Sequence, residues 1–414
     1  MAPPAQPESP EKVTYRDLFG DREFASLWIG DVLSRGGSQI GQFAIAALVY
    51  DRTGSPALTA TAFAVSYLPH LLGGAVLATL ADRWPRRETL VVTDVIRAML
   101  IMLILIPGMP VGGVFAVIFT VELVKIPFGA ARLAILADIL HGQRFAVGNG
   151  LVAATQQVLM VVGFAGGGFL VSVVGPRPAI AIDAVTYLVS AAIIRTFVRQ
   201  RPAPVIPEGE SPSVWSQTVE GLSIVRRIPG MSANFLLLMV GPASFSVLTA
   251  LAVPYAHVLG GGDRLAGVMM ASGPLGAAIG MACTGRLDAD RRGRLIAPSI
   301  LAMGILLAFA GVAGGAALAV AFFFLIGLML GYITTVQAAI AATTPTHARG
   351  RIFGLGNTVM QLSQGVSVAL TALFTEFFTV GHAFVVTGAL TTASASLVIL
   401  RRREHRARHP SQSR

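Results

Sequence analysis

The 414-residue sequence is 54% hydrophobic and 13% charged, whereas water-soluble proteins usually carry about 25% charged residues. This composition excludes a water-exposed surface for most of the chain. The net charge of +10 would be compatible with nucleic-acid binding, but the arginines lie between hydrophobic runs and form no basic helix, which argues against a nucleic-acid partner.

The N-terminal segment is rich in proline and charged residues. It has no positively charged stretch leading into a short apolar core with a cleavage site, so it does not resemble a signal peptide. We expect residues 1–23 to form a disordered cytoplasmic tail.

Twelve long apolar runs follow. A helix needs roughly 20 apolar residues to cross a hydrocarbon core about 30 Å thick, so these runs predict an all-α integral membrane protein. Six are expected in an N-terminal bundle over 24–198 and six in a C-terminal bundle over 231–400, with a polar, proline-rich central loop over 199–230 and a basic cytoplasmic tail over 401–414. The predicted helices lie at about 24–50, 57–81, 88–106, 111–131, 145–174, 177–197, 231–259, 265–287, 295–313, 316–342, 352–379 and 382–400.

Arginines concentrate in the segments that share a side with the N-terminus. The loops on the other side hold little beyond Arg52, Arg177 and Arg264. By the positive-inside rule, both termini are predicted to face the cytoplasm, in the inner membrane of a bacterium.

The two groups of six also share short motifs. Segment 144–149 (RFAVGN), entering the fifth helix, matches 351–357 (RIFGLGN), entering the eleventh, at a period of about 207 residues. The segments 81–83 and 289–291 both read Ala-Asp-Arg near the end of a second helix. These matches predict two pseudo-symmetric halves, a plan found in transporters.

Segment 78–87 (ATLADRWPRR) closes the second helix and resembles motif A of the major facilitator superfamily, Gly-x-x-x-Asp-Arg-x-Gly-Arg-Arg/Lys. Ala78 and Pro85 replace its glycines. Segments 27–30, 50–56 and 94–97 are similar to the branch that includes enterobactin and macrolide exporters. The resemblance implies the major facilitator fold.

The resemblance also implies a cytoplasmic gate. In the family, the equivalents of Asp82 and Arg86 help to hold the carrier closed on the cytoplasmic side, and Arg83 and Arg87 flank them. A carboxylate at a membrane surface can face the positive N-terminus of a neighbouring helix, while arginines bind carboxylates nearby. The alternative is that the three arginines only anchor the topology.

The fifth helix contains Gly163, Gly167 and Gly168 where the family's antiporter motif has Gly-Pro-x-x-Gly-Gly, with Phe164 in place of the proline. The pattern gives weak support to proton antiport. Clustered glycines equally predict tight helix packing.

Charged residues inside the hydrocarbon region cost roughly 2.5–3.5 kcal/mol each, so they usually face a cavity or a partner. Three pairs lie three or four residues apart on one helical face: Asp31 with Arg35, Asp94 with Arg97, and Glu122 with Lys125. Facilitator cavities are lined by the first and fourth helices of each half, so the resemblance places Asp31, Arg35, Glu122 and Lys125 towards substrate. Glu122 and Asp31 are the candidate proton carriers, although the neighbouring cations oppose proton uptake. Asp94 and Arg97 are predicted to be structural.

Other polar residues are given interfacial or packing roles. Asp183 and Glu376 are predicted at the outer interface, and none of His70, His257 and His382 has suitably spaced carboxylates. The second-half cavity helices instead offer an apolar wall suited to a bulky solute, or plain core packing. Its candidate residues are Phe235, Met239, Phe245, Phe323, Tyr332 and Gln337.

No enzyme signature and no nucleotide-binding loop is present, so neither a catalytic residue nor a cofactor is predicted. The lone Cys283 excludes a cysteine-cluster metal site, and no metal is expected. We predict a monomeric secondary transporter, in contact with membrane lipid, that exports a drug-like or secondary-metabolite molecule in exchange for protons, as multidrug-resistance antiporters do. Siderophore export, nutrient uptake, lipid flipping and a non-transporting sensor or assembly factor remain alternatives.

Overall fold

The computed structural model describes the backbone of residues 14–201, 222–228, 230–345 and 348–408, and the side chains of these residues except 71–83 and 398–408. In these ranges the chain is helical and contains no strand. The first half comprises α1 (Tyr15–Phe19), α2 (Arg22–Thr53), α3 (Pro56–Arg83), α4 (Arg86–Leu103), α5 (Val111–Ile139), α6 (Gly142–Val174) and α7 (Pro176–Phe197). The second comprises α8 (Met231–Val258), α9 (Gly262–Gly285), α10 (Ala289–Ala310), α11 (Ala316–Met329), α12 (Tyr332–Thr343), α13 (Arg349–Phe374) and α14 (Val380–Arg408).

The helix ends follow local sequence signals. Asp21 caps α2 by accepting hydrogen bonds from the backbone N–H groups of Glu23 and Phe24. At its other end Gly54 takes a left-handed conformation (φ 61°), which glycine adopts without steric cost. Ser55 then caps α3, so α2 and α3 are joined by only two residues.

The membrane prediction agrees with the structure. Eight segments in the described part of the chain are long and apolar enough to cross a bilayer, and α11 and α12 together form one of them. The other four long helices are α2, α3, α4 and α13, which gives twelve segments.

The two halves repeat one pattern of helix pairing. In the first half α2 packs against α6 and α7, α3 packs against α5, and α4 packs against α7. In the second half α8 packs against α13 and α14, α9 against α11, and α10 against α14. Each pair in the second half is a first-half pair shifted by six segments, so the predicted pseudo-symmetry is present in the packing. The halves meet mainly where α6 packs on α9 and α13 packs on α3.

The tenth predicted helix differs from expectation because it is interrupted. Around residues 330 and 331 the hydrogen bonds change to the i to i−3 type, as in the bond from Leu330 N to Gly327 O (2.9 Å). Here the turn between α11 and α12 packs closely against α9, since a Cβ on Gly331 would lie 2.5 Å from the Gly280 carbonyl oxygen. The tightened turn accompanies this backbone contact.

Gly168 allows the two halves to touch. A Cβ on Gly168 would lie 2.5 Å from the Cα of Gly267 on α9. We expect Gly168→Ala to lower the free energy of unfolding by about 1–3 kcal/mol, because the backbones must separate. Thermal unfolding of the purified protein in detergent measures this. Gly166→Ala is the matched control, since a Cβ there meets no atom of the described residues within 4 Å. Equal midpoints for the two variants would contradict the role of this contact.

Candidate functional site

Several ion pairs lie at one end of the first half, where α2 and α4 begin and α5 and α7 end; we call this the charged end. Arg86 Nη1 is 2.5 Å from Asp138 Oδ2, which joins α4 to α5. Arg201 bonds to Glu23, and these hydrogen bonds raise the pKa of the Arg201 guanidinium. Arg87 donates to Gln200 at 3.0 Å. The charged end is therefore stabilised by ion pairs and hydrogen bonds within one half.

Two of the residues predicted for the gate, Asp82 and Arg83, have side chains outside the described residues. The structure places Arg86 and Arg87 beside each other at the start of α4. Asp138, the partner of Arg86, was missed because it lies 52 residues away on another helix.

A second cluster surrounds Asp31, which is only 5% exposed. Arg35 Nε donates to Asp31 Oδ1 at 2.8 Å, the pairing that their spacing predicts. Arg132 on α5 adds a second cation, 3.5 Å from the same oxygen. Asp31 therefore faces two guanidinium groups rather than one, and sequence spacing could not have indicated Arg132.

A third cluster is buried between α2, α4 and α7. Arg97 pairs with Asp94 on its own helix, and both side chains are almost fully buried. Asp94 also accepts a hydrogen bond from Ser190 (2.7 Å). The Arg97 guanidinium lies against the rings of Phe128 (4.5 Å) and Tyr187 (4.4 Å). These contacts are those of a structural ion pair.

A cavity lies beside this cluster, inside the first half. The cavity has a volume of about 60 Å³. Because one water molecule needs roughly 10–15 Å³, the cavity can hold several water molecules. Glu122 and Asp183 supply its acidic groups, and Tyr187, Ser38 and Gln42 supply neutral polar groups. The remaining lining is Ile45, Ala46, Ala62, Phe63, Ser66, Ile101, Ile118 and Val121.

Glu122 pairs with Lys125 one turn further along α5, with Nζ 3.0 Å from Oε2. The Lys125 side chain is 42% exposed and that of Glu122 is 19% exposed. Of the four residues predicted to face a cavity, Glu122 lines this one, while Asp31, Arg35 and Lys125 do not.

The prediction for Asp183 was wrong. This residue is 2% exposed and lines the cavity, rather than lying at an interface. Its carboxyl group packs against Gly41 of α2, where a Cβ would overlap it, and its Oδ1 has no hydrogen-bond partner among the described residues. The signal in the sequence is the spacing of Gly30, Gly37 and Gly41, which places three glycines on the α2 face that meets α7.

Three of the six residues of the apolar wall predicted for the second half are buried in its core, whereas Met239 and Phe245 are half-buried and Gln337 is exposed. Phe235, Phe323 and Tyr332 are each at most 7% exposed. The Tyr332 hydroxyl donates to the Leu237 carbonyl at 2.7 Å, so it has an internal partner. Core packing, the alternative given above, therefore describes these three residues.

The glycines of α6 meet two different helices. A Cβ on Gly163 would lie 2.5 Å from Gln39 Cβ, and one on Gly167 would lie 3.2 Å from Phe43 Cβ, both on α2. Gly168 instead faces Gly267 across the boundary between the halves.

Comparison with known proteins then gives the family. Residues 27–368 match the family model described as Major Facilitator Superfamily. The chain belongs to the major facilitator superfamily.

Relatives and solved structures agree with this assignment. The chain is 26% identical to macrolide efflux protein A of Streptococcus pyogenes over 89% of its own length and 93% of that protein's. It is 28% identical over 44% of its length to the uncharacterized MFS-type transporter YkuC of Bacillus subtilis, of which 43% is covered.

The fold matches the crystal structure of the nucleoside transporter NupG with a TM-score of 0.70 at 12% identity, covering 91% of this chain and 98% of that one. It also matches the crystal structure of a bacterial homolog to the human lysosomal transporter Spinster, in an inward-facing and occupied conformation. That match has a TM-score of 0.70 at 14% identity and covers 92% of this chain and 96% of the homolog. At these identities the likeness concerns the fold alone.

The predicted family and fold class are therefore confirmed. The protein is a multi-pass membrane transporter of the major facilitator superfamily, a family of small-molecule transporters rather than enzymes. Among the described residues, the lining of the cavity beside Asp94 and Arg97 comes from α2, α3, α4, α5 and α7 of the first half, whereas the predicted cavity is lined by helices of both halves.

Proposed function

We propose that this protein is a proton-coupled exporter of a bulky, partly apolar small molecule. The observation that carries the proposal is the cavity inside the first half, where the carboxyl groups of Glu122 and Asp183 face a space large enough for water. A proton exchanger needs carboxyl groups that are accessible to water yet held among helices, so that gain or loss of a proton changes the energy of the packing around them.

The substrate class follows from similarity and from the chemistry of the cavity. A relative 26% identical over most of both chains is a macrolide efflux protein. The cavity holds several waters rather than a whole macrolide, and its aliphatic and aromatic side chains with a few hydroxyl, amide and carboxyl groups suit part of an amphipathic solute. A macrolide is therefore the first substrate to test.

We further propose that the transporter alternates between two forms, with its charged end in the cytoplasm. The arginine distribution supports this orientation. In the present form the halves touch at the opposite end, where α2 and α8 end and α9 begins: the rings of Tyr50 and His257 are 4.9 Å apart, and Gly168 lies against Gly267. Such contacts are those of a carrier closed on its outer side.

Under this proposal, Asp82, Arg83, Arg86 and Arg87 regulate opening at the charged end. In the present form Arg86 is engaged within the first half, where its 2.5 Å pair with Asp138 joins the start of α4 to the end of α5. Asp31 with Arg35 and Arg132 gives a further set of charges nearby, whose pairing can change with conformation.

Transport into inside-out membrane vesicles tests the proposal. When the lumen is made acidic, so that the proton gradient is directed out of the lumen, wild-type protein should accumulate radiolabelled erythromycin, and a protonophore should abolish accumulation. We expect Glu122→Gln and Asp31→Asn to reduce the initial rate by at least about tenfold, or about 1.4 kcal/mol in barrier, at unchanged protein level. Asp288→Asn, which replaces an exposed carboxylate, is the control.

Accumulation by both variants at the wild-type rate would exclude Glu122 and Asp31 as proton carriers. Accumulation insensitive to the protonophore would exclude proton coupling.

A further inference from the structure

Three side chains from both halves converge at the end opposite the charged end, away from the cavity. Asp51 lies in the last turn of α2, His257 in the last turn of α8, and Asp263 in the first turn of α9. One possible ligand atom of each lies within 4.8 Å of the other two. We propose that these three side chains form a binding site for a divalent transition-metal ion of the zinc or manganese class, shared between the two halves.

The donor atoms suit such an ion. One imidazole nitrogen and two carboxylate oxygens form a mixed set that zinc and manganese accept. Two ligands at about 2.0–2.1 Å from a tetrahedral ion lie about 3.3 Å from each other. His257 Nε2 is 3.3 Å from Asp263 Oδ1, so this pair already has the spacing that a shared ion requires. Asp51 offers a carboxylate oxygen within 4.8 Å of both.

The local charge also favours a cation. The cluster brings two carboxylates together, and like charges at this separation repel each other. The adjacent arginines are directed to other partners: Arg52 donates to the Met109 carbonyl at 3.0 Å, and Arg264 lies 5.6 Å from the ring centroid of Phe169. A divalent ion would supply the missing charge.

The backbone brings the second-half ligands together. Between α8 and α9 the chain reverses through Gly260 (φ 74°) and Gly262 (φ 56°), conformations that other residues rarely adopt. The backbone N–H of Gly260 bonds to the His257 carbonyl at 3.0 Å, which fixes the turn. The ring of Tyr50, from the first half, packs on the His257 ring next to Asp51. His257, for which the sequence predicted a packing or interfacial role, is thus positioned beside two carboxylates.

A shared ion would affect transport if the halves separate at this end, a consequence that rests on the proposed function. Asp51 belongs to the first half, whereas His257 and Asp263 belong to the second. An ion held by all three stabilises the form in which this end is closed, and each transport cycle must then release it. Zinc on the outer side would slow transport.

Calorimetric titration of the purified full-length protein in detergent with ZnCl₂, MnCl₂ and MgCl₂ tests the site without any transport measurement. We expect one zinc site per chain, weaker binding of manganese, and no comparable binding of magnesium. His257→Ala and Asp51→Asn should each lower zinc affinity about tenfold or more, since even a group that only supports a ligand typically contributes that much. His141→Ala, an exposed histidine at the charged end, should bind zinc like wild type.

Three results would overturn the proposal: unchanged zinc affinity in His257→Ala, unchanged affinity in Asp51→Asn, or equal binding of magnesium. The second would show that any ion is held by the second half alone. In the inside-out vesicles, the lumen corresponds to the outer side of the membrane. Zinc in the lumen should slow transport by wild type and not by Asp51→Asn. If no substrate is transported, the titration still decides the metal site, so the two proposals fail separately.

Discussion

Asp94→Leu is expected to lower the free energy of unfolding by about 3–5 kcal/mol, the usual cost of removing one partner from a buried ion pair. Arg97 is 2% exposed and would retain its charge among the rings of Phe128 and Tyr187. Ser190 would also lose the acceptor of its hydrogen bond. Thermal or urea unfolding of the purified protein in detergent, followed by circular dichroism, measures the change.

A second variant separates loss of the pair from loss of volume. Asp94→Leu with Arg97→Met removes both charges, and replacement of a buried pair by apolar residues of similar size is often neutral. We expect the double variant to recover most of the lost stability. The exposed Asp288→Asn is the control and should unfold like wild type. A double variant as unstable as Asp94→Leu would show that the unpaired Arg97 charge is not the cause.

Asp183→Asn is expected to reduce proton-driven transport by at least about tenfold, equivalent to about 1.4 kcal/mol, with little effect on folding. The amide has nearly the shape of the carboxyl group, so it fits the space left by Gly37 and Gly41. It cannot take up a proton, however, and Asp183 is one of the two carboxyl groups that line the cavity. Initial rates in vesicles at several pH values measure the effect, and the pH dependence of the residual transport should weaken, because one of the two carboxyl groups described in the cavity lining has been removed.

Glu376→Gln is the matched control for this prediction. Glu376 is an exposed carboxyl group on the loop after α13 and is not among the residues that line the cavity. Its replacement should leave the rate and its pH dependence unchanged. If Asp183→Asn transports like Glu376→Gln, then Asp183 serves packing alone and the coupling proton is carried elsewhere.

The sequence predicts well those features that depend on neighbours along one helix. Hydropathy located twelve segments, because a bilayer requires an apolar run of a certain length wherever it lies in the fold. Helical geometry likewise places residues three or four apart on one face. Asp31 therefore lies beside Arg35, and Glu122 beside Lys125, at 2.8 and 3.0 Å.

The sequence alone does not determine how one helix is rotated against another. Arg132 meets Asp31, Asp138 meets Arg86, and Asp183 enters a space beside Gly41, in each case between helices. The same limitation explains the interrupted tenth helix, since the close contact of Gly331 with Gly280 arises only when α11 packs on α9.

By itself, then, the sequence determined the membrane class, the twelve segments, the duplicated halves and the charge pairs within helices, because each depends on local hydropathy or on helical spacing. The tertiary structure decided which carboxyl groups share a cavity, which arginines accompany Asp31, and that His257 lies beside Asp51 and Asp263. These features depend on the rotation and depth of packed helices, which are set by steric contacts between distant segments such as Gly168 and Gly267.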